Sequence, residues 1–161
     1  MKTQKTILLE LNEVNFEFIK FYAGKGCLPA FNQFLDRHGY AETTSENEHN
    51  LVEPWIQWVT VHTGKTYSDH NIFRLGDIVS DNKLKQIWEV LEEKNLSVAA
   101  VCPMNADNRV NKPAFFIPDP WTKTKASGNG LLLNFSRALS QAINDNAKSK
   151  ITFKYSTFFC I

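Results

Sequence analysis

Apolar residues in this chain fall into compact β-rich runs alternating with longer stretches at helical spacing. "TILLEL" (6–11) reads as a buried first strand. "NEVNFEFIKFYAGKG" then spaces Phe18, Phe21 and Tyr22 as one helical face and stops at Gly24 and Gly26. "LPAFNQFLDRHG" predicts a second helix, with Pro29 in its first turn, Phe31, Phe34 and Leu35 on one face, and Gly39 as its stop. "YAETT" (40–44) predicts a second strand and "SENEHN" (45–50) an exposed loop. "SDNKLKQIWEVLEEKN" is the clearest helix, capped by Ser80 or Asp81 and striped by Leu84, Ile87, Trp88 and Leu91.

"LSVAAV" (96–101), apolar throughout, predicts a fully buried strand. "PAFFIPDPWTKTKASGNG" carries three prolines and reads as a short extended piece inside a long loop. "LLLNFSRALSQAINDN" predicts a last helix with Leu132, Phe135, Leu139 and Ile143 on one side. "KSKITFKYSTFFCI" (148–161) predicts one more strand. This alternation predicts a single α/β domain, a largely parallel sheet flanked by helices. A sheet of that kind ordinarily continues past such a strand, so the expectation is an incomplete domain, a fragment or frame-shifted remnant of a longer protein.

Between the two halves lies "EPWIQWVTVHTGKTYSDHNIFRLGD" (53–77), too polar for a plain core helix and too poor in glycine and serine for a plain loop. Trp55 and Trp58 stand i, i+3 and read as core; His62 reads as a packed, hydrogen-bonded histidine.

Composition narrows the classes. Lys and Arg number 18 against 17 Asp and Glu, a net +1, so no strong field favours nucleic acid or an acidic membrane. An aromatic share of 12% argues against disorder. The first apolar run is broken by Glu10 and Glu13 without a small-residue cleavage site, which argues against a signal peptide. No apolar run reaches membrane-spanning length, and the expected compartment is the cytoplasm. Cys27, Cys102 and Cys160 are widely spaced, which fits reduced, inert thiols better than a disulfide framework or a zinc site.

Ligands of open α/β sheets bind at the carboxyl ends of strands. That rule singles out Asn12, Glu13 and Asn15 after the first run, and Cys102, Asn105, Asp107 and Asn108 after 96–101. Oxygen donors there suit a hard or borderline metal ion. Asn12 and Glu13 equally suit a helix cap, and Asn105, Asp107 and Asn108 equally suit turns.

The order "ILLELNE", helix pair, "EPWIQWVTVHTGKTYSDHNIF" resembles the alkaline phosphatase superfamily, in its type I phosphodiesterase/nucleotide pyrophosphatase branch. Trp58, Thr60, Thr63, Gly64, His70 and Ile72 fall on that branch's pattern, and the likeness spans roughly residues 6 to 120. It implies a metal-dependent phosphoester or phosphodiester hydrolase using zinc or manganese, and a small phosphorylated substrate rather than nucleic acid or membrane. Asn12 stands where that branch has a metal-binding aspartate, with Glu13 beside it. Glu53, followed by Pro54, stands in the slot of its Thr or Ser nucleophile. Glu53 is then a carboxylate nucleophile, a metal ligand in the nucleophile's place, or a plain helix-start residue where hydrolysis has been lost. His70 and Asn105 are the candidates for contacting substrate. The alternative function is a non-catalytic relative that binds a phosphorylated or nucleotide-sugar ligand, or a partner protein.

Overall fold

The parallel strands expected of the chain are a short pair. β1 (Ala99–Val101) lies beside β2 (Phe115–Ile117), pairing Ala99 with Phe115, Ala100 with Phe116 and Val101 with Ile117. The computed structural model describes residues 5–81, 83–150 and 154–155, in two compact units, Met1–Ser45 and Glu46–Ile161. Among these residues the chain is mixed α/β, with six α-helices and a two-stranded parallel sheet. No helix among them is long and apolar enough to cross a membrane.

The first unit is a helix pair, α1 (Phe16–Gly24) against α2 (Pro29–His38). Asn15 starts α1, its side-chain oxygen accepting from Phe18 N at 3.1 Å. Pro29 opens α2, where its missing N–H costs nothing, and Gly39 ends it at φ 68°, a left-handed value that glycine adopts freely. Both helices match the expectation, but the buried face of α1 does not. Ile19 and Ala23, an i, i+4 pair, are its buried residues, while Phe18, Phe21 and Tyr22 are exposed. Aromatic spacing marked a stripe without saying which of two apolar stripes meets the neighbouring helix.

The strands expected at 6–11 and 40–44 are corrected: neither forms a regular element. A strand exists only where a second backbone takes its N–H and C=O groups, and apolar content does not supply that partner.

In the second unit, α3 (Pro54–Thr63) runs from Glu53 to Gly64, which is left-handed at φ 64°. The short α4 (Tyr67–His70) packs against it. α3 buries Ile56, Val59 and His62; Trp55 and Trp58 are only half-buried. α5 (Ile87–Glu93) is shorter than its apolar stripe. Gln86 caps it in a reciprocal box with Glu89, while Asp81 instead accepts from Lys83 N and Leu84 N in the preceding turn. Gln86 is held there because its carboxamide also pairs with the backbone of Asp107, donating to its O and accepting from its N, both at 2.9 Å.

β1 is not the fully buried strand that its composition suggests, since Ala99 and Val101 are exposed. Among the described residues β2 is the one strand that pairs with it. α6 (Gly130–Ala147) is capped by Asn129 and packs on β2. A Cβ at Gly128 would meet the Leu132 side chain at 3.1 Å and Phe115 at 3.3 Å, so glycine permits that approach. Two clusters form the core, Trp88, Val98, Ala106, Val110 and Phe116 in one and Val59, Ile72 and Ile78 in the other. The strand expected over 148–161 lies almost wholly outside the described residues; Lys154 and Tyr155 are in a turn.

Candidate functional site

Glu53 occupies the N-cap of α3 with extended backbone (φ −62°, ψ 137°), and its side chain makes no capping hydrogen bond. Proline at the next position, pre-set to helical φ, fixes that start. Glu53 lines a cleft of about 370 Å³ with Asn50, Trp55, Ile56, Phe73, Arg74 and Leu75. The Trp55 indole donates to Phe73 O at 3.1 Å, tying one wall to the other. The cleft thus has an apolar, aromatic lining, with Asn50, Glu53 and Arg74 as its polar residues.

His70, the expected substrate contact, is buried at 2% exposure. Its Nδ1 accepts from Ile72 N at 3.0 Å, which leaves the proton on Nε2, 3.1 Å from Thr60 Oγ1. Both ring nitrogens are therefore used within the scaffold. Burial pushes its pKa below the ordinary 6.5, outweighing the upward pull of Glu46 and Asp69. Protonating Nδ1 would also set two N–H donors against each other. A folded-state value below the unfolded one means stability that is complete above about pH 6.5 and is lost as pH falls through the folded value. Urea titrations between pH 7 and pH 5 are expected to show the wild type losing more stability than His70→Gln, by up to ~1.4 kcal/mol per pH unit. Parallel losses in the two proteins would overturn this account.

Asn105, the other expected contact, is wholly buried at 0% exposure and left-handed at φ 50°. Its amide donates to Trp55 O at 2.8 Å and to Arg74 O at 3.4 Å, and its oxygen accepts from Gly76 N at 2.8 Å. Asp107 and Asn108 are likewise committed to the scaffold. Asp107 accepts from Arg109 Nε at 2.7 Å and from the Thr124 hydroxyl; Asn108 donates to Lys125 O at 2.7 Å and to Ser127 Oγ at 3.0 Å. Cys102 is half-buried, and burial first, then the Asp119 carboxylate, pushes its thiol pKa up. A thiol so placed is a poor nucleophile, in keeping with an inert role.

Asn12 and Glu13 form an exposed turn in the first unit, with Glu13 left-handed at φ 56°. The helix cap there is Asn15, not this pair. Glu53, His70 and Asn105 belong to the second unit. Among the described residues no group of three or more His, Cys, Asp and Glu side chains converges as a metal site. Asn12 and Glu13 are two residues with three side-chain oxygens between them, against the three or four protein ligands that zinc ordinarily takes. These residues alone do not fit a zinc or manganese centre.

Asp119 and Arg74 are among the residues that escaped the reading of the sequence. Asp119 stands two residues after β2, where the strand-end rule would have found it; it is 2% exposed and accepts from Asn105 N, Trp121 N and Thr122 N. Arg74, in the cleft, had no periodic or motif signal. No protein family, curated protein or solved structure matches this chain.

Proposed function

We propose that this chain carries the N-terminal part of a phosphoester or phosphodiester hydrolase of the alkaline phosphatase kind, acting on a small phosphorylated substrate in the cytoplasm. The observation that carries the reading is the shared cleft of Glu53 and Arg74, opening at the start of α3. Carboxylates serve as nucleophiles in phosphoryl transfer. Glu53 would attack phosphorus, the leaving group would depart with the P–O bonding pair, and water would then hydrolyse the acyl phosphate. Arg74 would neutralise charge on the phosphoryl oxygens, the task for which a guanidinium is best shaped. Dependence on zinc or manganese rests on the resemblance alone, and no step is routed through a metal.

A second reading, ligand binding without turnover, is favoured by the internal commitment of His70 and Asn105, which removes both as groups able to act on a ligand. Turnover of bis(p-nitrophenyl) phosphate with added zinc or manganese separates the two. Glu53→Gln is expected to lower it by at least ~100-fold, the lower end for removing a positioned catalytic group. Activity that survives Glu53→Gln unchanged would end the nucleophile assignment. Phosphate binding by calorimetry with no turnover in the wild type would leave the second reading standing.

A further inference from the structure

We propose that Asn105 is the positioning residue of the Glu53–Arg74 cleft, setting the separation of its walls without touching what binds there. The role rests on the reading that this cleft takes a phosphorylated ligand. Asn105 does not line the cleft, yet it holds residues on both sides. Its Nδ2 donates to Trp55 O in the first turn of α3, and its Oδ1 accepts from Gly76 N in the loop that carries Arg74. A second, longer contact runs from the same Nδ2 to Arg74 O at 3.4 Å. The Trp55 indole also spans the walls, but through an exposed hydrogen bond to Phe73 O. The other tie is the carboxamide of Asn105, a residue that is itself fully buried.

Chemistry explains the residue type. A carboxamide presents a donor and an acceptor in one plane, which neither a carboxylate nor an ammonium does. Asparagine also tolerates the left-handed backbone found here, at φ 50°. Its own N–H is anchored to Asp119 Oδ2 at 2.9 Å, and the other Asp119 oxygen accepts from Trp121 N and Thr122 N, each at 2.9 Å. The bridge is therefore fixed to the segment after β2 rather than to either wall. Walls held in this way present Glu53 and Arg74 to a ligand already ordered, so binding loses less conformational freedom.

Two substitutions test this. Asn105→Gly accepts the left-handed backbone and removes both side-chain ties. Asn105→Asp keeps an acceptor for Gly76 N and loses the donor to Trp55 O. Amide exchange by NMR should show Gly76 protection reduced up to about tenfold in Asn105→Gly and retained in Asn105→Asp, the size a single hydrogen bond allows. The Phe116 amide, bonded to Ser127 O away from the cleft, should keep its protection in both. With bis(p-nitrophenyl) phosphate, KM should rise up to about tenfold in both variants, by the same reasoning, with kcat changed less. Equal loss of protection at Gly76 and Phe116, or unchanged protection at Gly76, would overturn the proposal. So would an unchanged KM in a variant whose Gly76 amide has opened. A wild type that neither binds phosphate nor turns over the diester refutes the hydrolase and ligand-binding readings, while the exchange data still decide whether Asn105 ties the two walls.

Discussion

Replacing Arg109 by methionine is expected to destabilise the second unit by ~3–5 kcal/mol, the range for breaking a buried ion pair from one side. The guanidinium donates to Ile78 O at 2.5 Å, to Leu84 O at 2.8 Å and to Asp81 O, and its Nε donates to Asp107 Oδ2 at 2.7 Å. Side-chain exposure is 19% for Arg109 and 12% for Asp107, so water compensates poorly. Methionine would fill much of the space but leave three carbonyls and a carboxylate without this donor. Domains of ordinary stability hold only about 5–15 kcal/mol in all, so much of the protein would unfold under mild denaturant. Urea midpoints measure this. The double variant Arg109→Met, Asp107→Asn should recover part of the loss, because the stranded charge is gone. A loss below ~1 kcal/mol in the single variant would show that the clamp contributes no more than a surface pair.

Trp88→Ala should cost a similar ~3–5 kcal/mol, through lost burial and the cavity left behind. Trp88 is 5% exposed, packs with Val98, Ala106, Val110 and Phe116, and meets Phe116 edge-on with ring centroids 5.6 Å apart. Its ring also packs tilted against that of His62, with centroids 4.7 Å apart, linking α5 to α3. The buried indole N–H has no hydrogen-bond partner among the described residues. Trp88→Phe should therefore cost much less than Trp88→Ala, since it deletes an unsatisfied donor while keeping an aromatic ring. Equal losses for the two would mean that the indole N–H is not the liability described.

The helices were largely legible. α3 is bounded by Pro54 and Gly64, α2 by Pro29 and Gly39, and α6 carries its periodic apolar side. Such signals are local: a ring that presets φ, a residue that accepts positive φ, a spacing near 3.6. Strands were legible only in part. "LSVAAV" contains β1, but "TILLEL" and "YAETT" form none, because pairing depends on a distant backbone. Site chemistry was the least legible. Asn105, Asp107 and Asn108 were singled out for their place after a strand and His70 by the resemblance, and each is committed to the scaffold.

By itself the sequence determined where α2 starts and stops, the placing of Glu53 at a helix start, and a near-neutral charge. Each of these depends on a residue and its near neighbours. Only the tertiary structure decided that Glu53 shares a cleft with Arg74, that Asn105 spans from Trp55 to Gly76, and that Arg109 clamps the segment around residues 78–84. The physical reason is one of range. A polar side chain has the same donors and acceptors wherever it stands, and whether they face a ligand or a carbonyl is set by residues that folding brings beside it.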